Sequence, residues 1–104
     1  MTREELFELH KETCEKCYEI LVKKNHDYSG ASDDAFANFR NSEIFDVPGE
    51  IGILMRCIDK FKRIEAFSRA GELHVENESV DDAIEDVINY MILLKGLIRD
   101  KQEK

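Results

Sequence analysis

Three stretches of this chain repeat apolar side chains at the three- and four-residue spacing of an α-helix. The first, residues 2–24, places Leu6, Leu9, Thr13, Cys14, Cys17, Ile20 and Leu21 on one stripe. Thr2 followed by Glu5 gives it the pattern of a capping box. The second, residues 50–70, repeats Leu54, Cys57, Ile58, Phe61, Ile64 and Phe67 and stops near Gly71. The third opens at Ser79, a residue type that caps helices, with Asp81 and Asp82 in its first turn, where the helix dipole favours acids. Its stripe is Val80, Ile84, Val87, Met91, Leu94 and Ile98. From Tyr90 to Ile98 this helix is apolar nearly all round, and a helix of that kind is central in a large core or shared with a partner. A chain of 104 residues does not surround it easily, so the pattern predicts a helical homodimer or higher oligomer. Arg99–Lys104 reads as a polar, frayed tail.

Residues 25–48 break the periodicity. Asn25 to Ser32 is turn chemistry, and Asp33 or Ser32 is placed to cap a short helix over Asp34–Phe39 anchored by Phe36 and Phe39. A connection this long inside a small helical domain is more often functional than idle. Its aromatics and side-chain amides suit stacking on a base and reading its edge. A packed surface loop, with Tyr28 and the two phenylalanines as its own small core, is the plainer alternative. The fold expected is therefore all-α, a small single-domain bundle over residues 1–104 with three long helices and a short helix in the 25–48 connection.

Composition narrows the function classes. Hydrophobic residues make up 42% of the chain, enough for a core, and charged residues 37%. A net charge of −8 argues against direct binding of long nucleic acid, which needs a basic surface. No apolar run reaches the roughly 20 residues of a membrane span, so no membrane partner is expected. The acidic first 20 residues are not a secretory signal. Three cysteines, an odd number, fit reduced thiols in a cytoplasm. Cys14 and Cys17 have CxxC spacing with His10 one turn earlier, but nothing completes four metal ligands, and both thiols read as core positions of one helix.

The candidate chemistry lies in the acids of the second and third helices. Asp82, Asp86 and Asn89 share a helix face, and Glu78 lies just before it. Asp86 projects among Ala83, Tyr90, Leu93 and Leu97, so its carboxylate loses water unless a cation or donor meets it. That cation is either a metal ion or a basic side chain of another helix. In the second helix Arg56, Asp59, Lys60 and Arg63 share one side. One reading is a surface ion-pair ladder. The other places Asp59 opposite Asp82 and Asp86, with Arg56, Lys60 or Arg63 on phosphate oxygens. His74 reads as a loop residue.

The order Lys23-Lys24, Asp27-Tyr28, Asn38-Phe39, Arg56-x-x-Asp59-Lys60-x-x-Arg63 and Glu78-Ser79-x-x-Asp82-x-x-x-Asp86-x-x-Asn89-Tyr90 resembles a small phage and prophage family, the nucleotide modification associated domain of type 1, over roughly residues 20–98. That family is similar to the MazG-like all-α nucleoside triphosphate pyrophosphohydrolases. The resemblance implies a helical, dimeric protein of the host cytoplasm that uses Mg²⁺ to cleave a (deoxy)nucleoside triphosphate to monophosphate and pyrophosphate. It implies Asp59, Glu78, Asp82 and Asp86 as metal ligands, with Asp59, Asp82 and Asp86 in catalysis. It implies Lys24, Asp27, Tyr28, Asn38, Phe39, Arg56, Lys60, Arg63 and Asn89 as substrate contacts. The chain departs from the enzymes' pattern in two places. Its second helix offers only Asp59 where they carry several acids, and Ala83 stands where the last helix would carry a glutamate. Two alternatives use the same residues differently: a nucleotide-binding protein without chemistry, and a small acidic protein that inhibits a host or defence factor.

Overall fold

The structure, a computed structural model, describes residues 1–29, 33–71 and 79–103, and the side chains of all of these except 26–29. Among them the regular structure is entirely helical: α1 (Arg3–Ser29), a 3-10 helix (Ala37–Phe45), α2 (Gly49–Ala70) and α3 (Val80–Gln102). The ends follow local chemistry. Thr2 and Glu5 exchange side-chain and backbone hydrogen bonds at 3.1 and 3.3 Å, the reciprocal cap expected at the start of α1. Gly71 ends α2 in the left-handed region at φ 77°, donating its N–H to the Phe67 carbonyl. Ser79 and Asp82 form the corresponding box at α3.

Three boundaries differ from the sequence reading. α1 continues through Asn25, five residues beyond the expected end at residue 24. The short helix lies over Ala37–Phe45, not Asp34–Phe39, because Asp34 accepts the Phe36 N–H at 3.0 Å and spends its side chain on a turn that delays the helix. Arg99–Gln102, expected as a frayed tail, are the last residues of α3. There Lys101 lies 2.6 Å from Glu50 at the start of α2, and Arg40 holds Asp100 at 2.9 Å.

α3 is the middle of the bundle. It packs along α2 and against α1, and the 3-10 helix rests on α1 and α2. Among the described residues the backbones of α1 and α2 do not approach each other closely. The core is Phe39, Ile53, Leu93 and Leu97, with Leu21, Phe36, Tyr90 and Leu94 packed against it. Gly49 lets α2 begin here: a Cβ on it would meet Leu97 Cδ2 at 2.9 Å and the Phe39 carbonyl oxygen at 3.1 Å.

The buried faces are not the ones the apolar stripes predicted. α3 turns Ala83, Glu85, Asn89, Leu93 and Leu97 inward, while Ile84, Met91 and Ile98 stay exposed. On α2, Ile53 and Cys57 are buried, but Leu54, Ile58 and Phe61 are exposed, together with Ile51 and Met55. On α1 only Cys17 of the expected stripe is fully buried; Leu6 and Leu9 are exposed, and so is Cys14, against its placing as a core thiol. Three helices with one central member do not offer enough neighbours to cover every apolar stripe. No described helix is long and apolar enough to cross a membrane.

Candidate functional site

The first turns of α3 set the electrostatics. Asp82 is the third residue of the helix, and its carboxylate accepts the Ser79 N–H at 3.1 Å while the Ser79 hydroxyl accepts the Asp82 N–H at 3.1 Å. Hydrogen bonds from the Ser79 backbone and then its hydroxyl hold the Asp82 carboxyl below the usual carboxylate range. Its Oδ2 is directed to the backbone at the start of its own helix.

Asp86, one turn further, has the cation that the sequence required, and it is protein. Lys24 Nζ from α1 lies 3.2 Å from Oδ1, and Lys60 Nζ from α2 lies 3.0 Å from Oδ2. The Asp86 and Lys60 side chains are 18% and 17% exposed, whereas Lys24 is 45% exposed. One carboxylate thus ties all three long helices together through two ammonium groups.

Two further polar residues on the α1 side of α3 were not anticipated as partners of α1. Glu85 is buried and its carboxylate lies 3.1 Å from Lys16 Nζ. That contact, by hydrogen bond and charge, raises the Lys16 ammonium above its ordinary value. Glu85's backbone carbonyl faces the Cys17 thiol at 3.9 Å. Asn89 is 7% exposed and donates Nδ2–H to the Cys17 carbonyl at 3.1 Å, while its buried Oδ1 accepts no hydrogen bond. No local pattern in the sequence marks Glu85 or Lys16, since the pairing depends only on how α1 lies across α3.

Beside Asp86 and Asn89 is a small cavity of about 10 Å³, completed by Leu21, Lys24, Tyr90 and Leu93. Leu21 and Leu93 also line an open apolar groove of about 410 Å³ between α1, the segment before the 3-10 helix, and α3.

Lys24, Lys60, Asp86 and Asn89 are the sequence candidates that the fold gathers across its three long helices. The others are placed elsewhere. Asp59 is 62% exposed and pairs with Arg63 one turn on, at 3.2 Å, the ladder reading of that face. Arg56 lies over the Phe39 ring, 4.9 Å from its centroid. Phe39 is buried in the core, and Asn38 is exposed. The side chains of Asp27 and Tyr28, and all of Glu78 and His74, lie outside the described residues. Among the described residues no three His, Cys, Asp or Glu side chains gather as metal ligands would, so Asp59, Asp82 and Asp86 do not form one cluster. Among the described residues both oxygens of Asp86 face ammonium groups and Asp82 Oδ2 accepts the Ser79 N–H, while Glu78, the fourth expected ligand, lies outside them.

The fold is that of an all-α helical bundle, and its polar centre is a carboxylate held between two lysines. No family model, curated protein or solved structure matches the chain.

Proposed function

We propose that this protein binds a nucleoside phosphate, with the phosphate at Lys24 and Lys60, and that it does so as a homodimer. The observation that carries the reading is the pairing of two lysines from different helices with the single carboxylate of Asp86. On a chain of net charge −8, two lysines brought together from different helices are a place to hold an anion. Asp86 orients the two ammonium groups, and Lys24, nearly half exposed, is free enough of burial to turn toward a phosphate. The resemblance of the motif order to the nucleotide modification associated family favours a nucleotide over a simple anion. The exposed apolar faces of α2 and α3 support the dimer: Ile51, Leu54, Met55, Ile58 and Phe61 on one helix and Ile84, Met91 and Ile98 on the other.

Cleavage of a triphosphate to monophosphate and pyrophosphate is the second reading. Asp82 and Asp86, four residues apart on one helix, favour it. It requires the lysines to leave Asp86 for the substrate, so that the carboxylate becomes available.

Calorimetric titration with pyrophosphate and with deoxynucleoside triphosphates, in a chelator and again in Mg²⁺, tests both. The expected result is binding in the chelator that weakens about tenfold or more in Lys60→Met and in Lys24→Met, as for loss of one charge-assisted contact. Pyrophosphate release in Mg²⁺ that disappears in Asp86→Asn establishes the hydrolase. Absence of binding to every phosphate compound overturns the proposal.

A further inference from the structure

The 25–48 connection was expected to hold the base or sugar on Asp27, Tyr28, Asn38 and Phe39; the side chains of Asp27 and Tyr28 lie outside the described residues, and Phe39 is 3% exposed with Arg56 over its ring. The apolar groove between α1 and α3 is a different place. Its walls are Leu21 and Val22 of α1, Phe36, and Ile92, Leu93 and Gly96 of α3. Gly96 makes room for it: a Cβ there would lie 2.9 Å from Phe36 Cζ, so only a glycine lets this ring rest against α3. At about 410 Å³ and apolar, the groove has the size and lining of a small-molecule site.

Its polar end carries a second, independent signal. Leu21 and Leu93 belong both to the groove and to the small cavity walled by Lys24, Asp86 and Asn89. The Asn89 amide is fixed in orientation by its Nδ2–H bond to Cys17, which assigns the unpartnered buried atom as the oxygen. A buried acceptor without a donor is destabilising, and a ligand can remove that cost by presenting an N–H. The cavity, about 10 Å³, holds at most one water, and a ligand edge entering between Leu21 and Leu93 would take that place.

Resting on the phosphate reading above, we infer that this groove is the base site, and that it takes a planar heteroaromatic ring presenting an N–H donor to Asn89 Oδ1. The ring lies along Val22, Phe36 and Ile92, with its phosphate end toward Lys24. A base whose facing edge has only acceptors would leave Asn89 unsatisfied and would bring a second acceptor against it. Selection is therefore by the donor, as in any site built around a buried unpaired group.

The experiment uses the full chain and separates the base from the phosphate. Thymidine, deoxycytidine, deoxyadenosine and deoxyguanosine, none with phosphate, are titrated beside counterparts in which every ring and amino N–H of the base is replaced by N-methyl, and beside pyrophosphate alone. At least one nucleoside is expected to bind, and its N-methylated form to bind about tenfold or more weakly. Val22→Trp, at a position 56% exposed and tolerant of a larger side chain, fills the groove. It is expected to abolish nucleoside binding. Equal binding of parent and methylated nucleosides, nucleoside binding unchanged by Val22→Trp, or pyrophosphate binding with no nucleoside binding overturns the base site, and the last leaves the phosphate reading standing. Nucleoside binding without pyrophosphate binding does the reverse. If no nucleoside binds and Val22→Trp alters only the sedimentation of the chain, the groove is a self-association face and the inference fails.

Discussion

Lys60 and Asp86, on adjacent helices, meet at 3.0 Å with both side chains less than a fifth exposed. Removing Lys60 leaves the partly buried Asp86 carboxylate with less compensation, whereas removing both takes that carboxylate away as well. Lys60→Met is expected to lower stability by about 1–3 kcal/mol in urea denaturation. Lys60→Met with Asp86→Leu should recover part of that loss, and a fully additive double mutant would show that the pair does not couple α2 to α3.

The cap of α3 gives a pH dependence. The Asp82 carboxyl is lowered by hydrogen bonds from Ser79, and the Glu50 carboxyl by its hydrogen bond from Lys101. A carboxyl lowered in the folded state contributes stability above its unfolded pKa, and that contribution is lost as pH falls through the folded value. Thermal stability should therefore decline on acidification below about pH 4. Ser79→Ala is expected to cost about 1 kcal/mol at pH 7 and to show a shallower acid decline, read from melting temperatures across pH.

Gly49 is the tightest backbone approach to the core. The Phe39 carbonyl oxygen that a Cβ would meet at 3.1 Å is backbone and cannot swing aside. Gly49→Ala should destabilise by about 1–3 kcal/mol. Gly71→Ala meets nothing in space but sits at φ 77°, so its expected cost is about 1 kcal/mol from conformation alone. Chemical denaturation distinguishes the two, and equal, negligible effects would contradict both arguments.

The exposed stripe on α2 is expected to be covered by a second copy. Analytical ultracentrifugation should give a dimer for the natural chain and a monomer for Ile58→Glu, whose side chain is 51% exposed in the single chain. A monomeric natural chain at micromolar concentration would leave that apolar face for another partner.

Thiol chemistry reports the orientation of α1. Cys14 is exposed, whereas burial pushes the Cys17 and Cys57 thiols up and shields them. Iodoacetamide at pH 8 should modify Cys14 rapidly in the native protein and all three cysteines after unfolding. Fast native labelling of Cys17 would mean that α1 does not lie on α3 through this residue.

The chain by itself determined what depends on neighbours in sequence. Thr2 with Glu5, Ser79 with Asp82 and Gly71 are read and satisfied within one turn, so the helices and most of their ends were legible. The need of Asp86 for a cation was legible too, because its position on the projection of one helix is enough to place it among apolar residues. Which cation, and which apolar stripe turns inward, were decided by the tertiary structure. Val80 to Ile98 repeats as well as Ala83 to Leu97, and periodicity cannot rank two stripes on one helix when both are apolar. The crossing of α1 and α2 on α3 chose the second stripe, brought Lys24 and Lys60 to Asp86, and left Ile84, Met91 and Ile98 of the first stripe exposed. The pairings of Lys24 and Lys60 with Asp86 join residues dozens of positions apart, where no local rule reaches and packing alone selects the partner.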